Sequence, residues 1–382
     1  MKLGDVVNLK RGYDLPRSKR CNGTIPIVSS SGITDYHNVA KEKAPGVITG
    51  RYGTIGDVFY VNQDYWPLNT TLYVEDFKGN DPLFISYFLK TIDFDSFAAK
   101  SAVPGINRND LHMADVSVPG IKTQKKIAAI LSTYDDLIQV NKNRITNLEK
   151  LAQKLYIEWF VDFHFPGYEN VKMNESNVGM LPVGWRVGSL DEISFNYKKA
   201  IKKENRNDYE NYLPIDCLPK KSFLLNEVRS VNEAESSLIE FSKNDILMGA
   251  MRVYFHKVIC APFSGITRST CFVIKPKRAE YHGYLYMTLF QDRTIDYANT
   301  ISVGATMPYV NWDTFSKMKI IIPSDEYVIK YNDIIQPIIS YMSYIYFENV
   351  NLKKIYEMLL PRLVSGDIDV STLDIKIKEV SM

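Results

Sequence analysis

The sequence predicts an α/β (α+β) protein: two similar globular domains separated by two long antiparallel coiled-coil helices, arranged as a pseudo-two-fold internal repeat. Three observations carry this. The second half of the chain repeats the first. Each half opens on a Gly-, Val- and Tyr-rich run of short strand patterns. Each half closes on a sustained heptad pattern.

The repeat is clearest toward the back of each half. Pro104 meets Pro308, Asn107 meets Asn311 and Leu111 meets Phe315. "VSVP" (116–119) meets "IIIP" (320–323), "NLEK" (147–150) meets "NLKK" (351–354), and Leu155 meets Leu359. Farther forward the spacing drifts. "TTLYV" (70–74) aligns with "STCFV" (269–273), and "LGDV" (3–6) with "LDEI" (190–193). Insertions have therefore accumulated in the front of each half. The resulting division is a first globular domain over 1–120, a helix over 121–163 and a connector over 164–184. A second globular domain follows over 185–323, then a helix over 324–365 and a tail over 366–382.

In the first domain, 57–61 and 70–74 read as strands and 81–92 as a helix. In the second, 245–250, 257–261 and 270–274 read as strands and 282–290 as a helix. The first long helix sets Ile127, Tyr134, Asn141, Leu148 and Leu155 on one seam position. Leu131, Ile138, Ile145, Ala152 and Trp159 fall on the other. The second helix gives Tyr331, Ile338, Ile345, Leu352 and Leu359, with Ile335, Met342, Asn349, Tyr356 and Leu363. Each seam holds a single asparagine, and a buried asparagine fixes register at some cost in stability. Antiparallel pairing with Asn141 opposite Asn349 then sets Ile145 against Ile345, Ile138 against Leu352 and Trp159 against Tyr331. The first helix is expected to begin near Thr123 as a cap and to stop before 163–168. The second is expected to begin near 324–325, with a kink or a later start at Pro337 and a loosened end at Pro361. The stretch 171–185 reads as an exposed connector ending in a tight turn.

With 45% hydrophobic and 24% charged residues over 382 positions, a folded protein is expected. No apolar run approaches the ~18–20 residues of a membrane span, and the first residues lack a signal-peptide core. Cys21, Cys217, Cys260 and Cys271 lie far apart, as reduced and mostly buried thiols of a cytoplasmic protein would. Phosphate-loop, zinc-hydrolase, deaminase and serine-hydrolase motifs are absent, as is the Asn/Asp-Pro-Pro-Tyr/Phe tetrapeptide of amino-methyltransferases. Five scattered histidines show no ligand spacing. No catalytic centre and no bound cofactor are expected in this chain.

Basic clusters beside Gly-rich turns remain. The net charge is only +2, so nucleic acid would have to be met by local clusters. The first domain carries Lys10, Arg11, Arg17, Lys19 and Arg20, then "GRYGTIG" (50–56) and "GINRND" (105–110). The second carries Lys198, Lys199 and Lys202, then "MRVYFHK" (251–257) and "GITRST" (265–270). Any one cluster suits an ordinary solvated surface. Their recurrence in both halves favours phosphate and base-edge contact.

"RYGTIGDVFYV", "WPLNTTLYV", "VPGINRNDL" and the "QKKIAAIL" helix together resemble the specificity subunit of Type I restriction–modification enzymes. So do "LPVGW" and "LLPRLVSG", and the resemblance covers essentially the whole chain. It implies that the globular domains are target-recognition domains, each reading one half of a split site in double-stranded DNA. The helices would space them and dock methyltransferase subunits, two being expected. Nuclease–translocase subunits would complete the complex. S-adenosylmethionine, ATP and Mg²⁺ would belong to those partners. By chemistry and location, Arg51, Asn69, Asn107, Arg108, Arg252, Arg268 and Asn311 join the basic clusters as candidate DNA contacts. The second half lacks the Gly53/Gly56 pattern, which points to a loop that meets DNA differently. A coiled-coil adaptor with protein-binding end domains and a self-sufficient DNA enzyme are the alternatives.

Recognition by two separate copies should be modular. Exchanging residues 1–120 for those of another family member should change one half of the selected DNA site and leave the other intact. Selection from randomised duplexes checks this, and a simultaneous change in both halves contradicts it.

Overall fold

The computed structural model describes residues 1–97, 105–225, 227–235 and 237–376. Ser101 and Pro104, at the start of the strongest repeat alignment, and the last stretch of the tail lie outside the described residues. The chain divides into two compact units, Met1–Ile138 with Asn351–Met382, and Gln139–Val350.

The first unit begins with α1 (Leu3–Val6) and β1 (Asn8–Arg11). Next come β2 (Ile25–Ser29), β3 (Gly32–His37), β4 (Gly46–Gly50), β5 (Val58–Val61), β6 (Trp66–Pro67) and β7 (Thr71–Asp76). After α2 (Pro82–Leu89) and α3 (Arg108–His112), the chain enters α4 (Ile121–Phe160). One antiparallel sheet has the order β1-β7-β4-β5, and a smaller one the order β3-β2-β6. Every residue of β4 is buried, as a central strand requires. Asp81 caps α2 by accepting from the Phe84 N–H at 2.8 Å, and Pro82 supplies the fixed first-turn φ. Phe84, Ile85, Phe88 and Leu89 of α2 then join Val47, Leu72, Ile127, Leu131 and Leu363 in one core. Burying each such side chain contributes about 1.5–3 kcal/mol.

The second unit carries β8 (Met173–Ser176), β9 (Gly179–Pro182), β10 (Arg186–Ser189), α5 (Leu190–Ile193), β11 (Ser194–Asn196) and β12 (Ala200–Ile201). It continues with β13 (Leu238–Phe241), β14 (Ile246–Gly249), β15 (Val258–Cys260), β16 (Gly265–Arg268) and β17 (Cys271–Pro276). It ends with α6 (His282–Leu289), α7 (Asp292–Thr300), α8 (Trp312–Phe315), β18 (Lys319–Ile322) and α9 (Asp325–Ser365). Its main sheet runs β11-β17-β14-β15, the same order as in the first unit strand for strand. The smaller sheets differ. β2 pairs with β6 in parallel, whereas β13 pairs with β16 antiparallel.

The expected strands and short helices are present as β5, β7, α2, β14, β15, β17 and α6. Four expectations need correction. Thr123 is not a cap: α4 already begins at Ile121, where the Gly120 carbonyl accepts from the Thr123 and Gln124 amides. Residues 116–119 form no strand. Only Met1 reaches Val116, whereas β18 is paired along its length by β10. The connector contains the β8–β9 hairpin, and Trp185 after it is buried among Phe160, Phe163 and Phe165. Finally, α9 begins at Asp325 and is helical through Pro337 and Pro361, so it does not start at Pro337. Both prolines face solvent, which can hydrate the carbonyls they leave free, while buried Ile335 and Ile339 hold the helix on either side of Pro337.

Inside the second unit α4 and α9 pair antiparallel in the expected register. Asn141 Nδ2 donates to Asn349 Oδ1 at 3.0 Å and to Glu348 at 2.8 Å. Trp159 meets Tyr331 at 5.6 Å between ring centres, and the Tyr331 hydroxyl donates to the Ala152 carbonyl. Ile145 and Ile345 are buried in one core. Within the first unit, Tyr87 of α2 joins both helices, donating to Asp135 at 2.7 Å and packing edge-on against Tyr356. Paired substitutions Ile145→Cys with Ile345→Cys should crosslink readily. Ile145→Cys with Leu352→Cys should not, and electrophoresis without reductant distinguishes the two.

Candidate nucleic-acid interface

In the first unit an open cleft of about 710 Å³ lies where β1 and β4 end and α3 begins. Lys10, Arg11, Arg51, Asn107 and Arg108, all anticipated from sequence, line it together with Tyr52. The backbone at Arg51 is held on both sides. Its N–H donates to the Thr70 carbonyl at 2.8 Å, and its carbonyl accepts from Ile106 at 3.0 Å. The Arg51 guanidinium stacks 4.6 Å from the centre of the Tyr52 ring. That ring lies so close over Gly105 that a Cβ there would sit 2.1 Å from it. Glycine is therefore required beneath the stack.

About half of the candidates are bonded within the protein. Lys10 pairs with Glu75 at 2.6 Å, which holds its ammonium above the ordinary lysine range. Arg11 pairs with Asp14 at 3.2 Å, and Asn69 donates to the same carboxylate. Arg20 pairs with Asp35 at 2.9 Å, and Lys199 with Glu240 at 2.7 Å. Asn107 and Asn311 are helix caps, accepting from the Asn109 and Asp313 amides at 3.0 and 2.8 Å. Among the described residues, Arg17, Lys19, Arg51, Lys198, Lys202, Arg252 and Arg268 have no hydrogen-bond acceptor for their side chains. Sequence reading missed Asp14 and Tyr52, which orient their neighbours. Tyr52 lies within the "GRYGTIG" run beside Arg51, but nothing in the run marks its ring as the residue that orients the arginine.

The second unit rebuilds this framework with different side chains. The Ala250 N–H donates to the Thr270 carbonyl at 2.8 Å, and the Ala250 carbonyl accepts from Val310 at 2.9 Å. Ala250 thus stands where Arg51 stands, and Thr70 corresponds to Thr270. The alignment of Thr70 with Ser269 is one residue out. The cause is the turn after the strand. Gly50 bonds the Asp57 carbonyl, whereas Gly249 bonds that of Lys257, one residue farther along. Arg252 consequently occupies the place of Gly53, and both have positive φ, +48° and +82°. Arginine pays for that left-handed backbone about 1–2 kcal/mol that glycine does not. At the other wall, Tyr197 bonds the Val273 carbonyl, which places Tyr197 and Lys198 where Lys10 and Arg11 lie.

Among the described residues no group of His, Cys, Asp and Glu side chains is arranged to hold a metal ion. Among the described residues no helix is long and apolar enough to cross a membrane. Cys217 and Cys271 are buried, Cys260 is half-buried and Cys21 is exposed.

A duplicated β-framework with two basic loop clusters and an antiparallel helix pair defines a two-module nucleic-acid reader. The family model for the Type I restriction modification DNA specificity domain matches residues 1–150 and 182–353. The MjaIX specificity subunit of Methanocaldococcus jannaschii is 27% identical over 306 residues, covering 76% of this chain and 67% of that protein. The HindI specificity subunit of Haemophilus influenzae is 22% identical over 335 residues, covering 69% and 71%. The crystal structure of a Type I restriction–modification S subunit from M. genitalium shares the fold, with TM-score 0.64, 16% identity and 95% of each chain covered. The chain belongs to the Type I restriction–modification DNA specificity family, and its role is DNA sequence recognition.

Replacing Arg252 with glycine should leave the thermal midpoint unchanged or higher, since the backbone strain disappears, while weakening DNA binding. Asn107→Ala and Asn311→Ala should each cost about 1 kcal/mol of stability through loss of a cap. Thermal denaturation and a binding titration separate these effects.

Proposed function

We propose that each unit holds one half of a bipartite double-stranded DNA site. In this reading Lys10, Arg11, Arg51 and Arg108 of the first unit, and Lys198, Lys202, Arg252 and Arg268 of the second, supply contacts to it. The observation that carries the reading is the duplicated framework. The same pair of backbone hydrogen bonds sets Arg51 in one unit and Ala250, two residues before Arg252, in the other. Two like frames with basic loops suit two segments of one regular, polyanionic duplex.

The chain itself is non-catalytic in this reading, and it works in the cytoplasm. α4 and α9 space the two readers and dock methyltransferase subunits, two per specificity subunit, with nuclease–translocase subunits joining the full complex. S-adenosylmethionine, ATP and Mg²⁺ are then held by those subunits and not by this chain. The likeness to specificity subunits of Type I enzymes supports this assembly.

Because the net charge is only +2 and several candidate cations are already ion-paired, the isolated chain should bind DNA weakly and with a steep dependence on salt. Each phosphate contact adds about 0.9 to the slope of log affinity against log salt. Lys10→Ala with Arg11→Ala should lower affinity for all duplexes alike and flatten that slope. Fluorescence anisotropy across a salt series measures both, and a flat response in the unaltered chain would contradict phosphate binding.

A further inference from the structure

The parts of the two units that match, and the parts that do not, divide the work of DNA recognition between them. Phosphates recur with the same geometry along any duplex, whereas bases differ from one half-site to the other. Residues set on the shared framework therefore suit phosphates, and structure that differs between the units suits bases. In the first unit the part that departs most from its counterpart is the sheet of the β2–β3 hairpin. Its counterpart sheet pairs antiparallel where this one pairs parallel, and its edge strand β12 is only two residues long.

β3 forms the edge of its sheet, and residues 33–36 are exposed one after another. The register matches Val28 with Ile33 and Ile27 with Asp35, which leaves Thr34 as an unpaired bulge residue. A bulge re-aims side chains and keeps an open edge from pairing with another strand. Ile33 and Tyr36 lie opposite Val28 and Pro26, hence on one face, and each is 50% exposed. Cations flank the ribbon. Arg20 is tied to Asp35, and the Arg17–Lys19 turn beside it carries two cations without an acceptor among the described residues. The hairpin tip at Ser30 lies against the turn that opens the cleft, 3.2 Å from where a Cβ on Gly50 or a Cβ on Gly53 would stand.

We propose that the β2–β3 ribbon enters the major groove of the first half-site, where Thr34 and Tyr36 read bases, while the adjoining cleft holds phosphates. A two-stranded ribbon fits the major groove, a hydroxyl can meet a base edge, and an apolar neighbour such as Ile33 suits a thymine methyl. The assignment rests on the proposed DNA-reading function and deepens it.

The test selects bound sequences from duplexes with randomised positions, in low salt, using the full chain. The unaltered protein should enrich a two-part consensus. Thr34→Ala and Tyr36→Ala should each lose about tenfold of preference at base pairs within one part, keeping the other part and the affinity for unselected DNA. Arg11→Ala should weaken binding to every sequence and leave the consensus as it was. Both ribbon side chains are exposed, so thermal midpoints should match the unaltered protein, and Tyr36→Phe tests the hydroxyl with the ring retained. Ribbon variants that keep the whole consensus, or that lose affinity for all duplexes equally, would overturn the assignment. An unaltered chain that selects no consensus would instead overturn the DNA-reading function itself.

Discussion

Asn141 and Asn349 bond to one another inside a seam that is otherwise apolar, and the second unit's arrangement depends on that one interaction. A buried amide without a partner costs about 1–3 kcal/mol. Sliding α9 by a heptad would bring Met342 or Tyr356 opposite Asn141, leaving Asn349 without its partner and Asn141 with Arg144 alone. A single register is therefore favoured over its neighbours by more than apolar packing alone could provide. From it follow the meeting of Trp159 with Tyr331 and the aromatic cluster that carries Phe160 and Tyr284. The sheet of that unit packs on the same cluster, so the loops at its edge inherit their positions from the helix pair.

The two units show how a duplicated fold can diverge without losing its frame. Main-sheet order, the capped turns before α3 and α8, and the hydrogen bonds around Arg51 and Ala250 are common to both. These features are backbone interactions or asparagine caps, which constrain the chain whatever side chains project from it. Side chains facing solvent carry no such constraint. One unit accordingly has a stacked arginine where the other has a buried alanine, and an arginine where the first has a glycine.

Ion pairing gives the basic surface its character. Glu75, Asp14, Asp35 and Glu240 each hold a candidate cation at 2.6–3.2 Å. The Lys10–Glu75 and Arg11–Asp14 pairs are exposed, and such pairs contribute little to stability, about 0–1 kcal/mol. Their use lies in keeping long side chains oriented, and a polyanion can take over the cation at small cost. A protein with nearly balanced charge can thus bind DNA locally and avoid a field that would hold it to any duplex.

The sequence by itself determined the duplication, the strand and helix patterns, and the pairing of the two long helices. All of these rest on periodic burial or on a lone polar residue in an apolar seam, which are local signals. Several corrections arose where a tertiary partner decides the outcome. Residues 116–119 carry a strand pattern, but among the described residues Met1 alone bonds them backbone to backbone, and a run without a paired strand is no strand. Pro337 reads as a kink or a helix start, and the start is instead at Asp325, with buried Ile335 and Ile339 packing on either side of the proline. Asn107 and Asn311, candidate contacts from the sequence, also cap the helices that follow them, through Oδ1, because that oxygen meets an amide left free in the first turn. The correspondence of Arg51 with Ala250, the Tyr52 stack over Gly105 and the exposed bulge at Thr34 were settled only by the tertiary structure. Each depends on a hydrogen bond or close approach between segments distant in the chain, and no spacing along a sequence encodes such a distance.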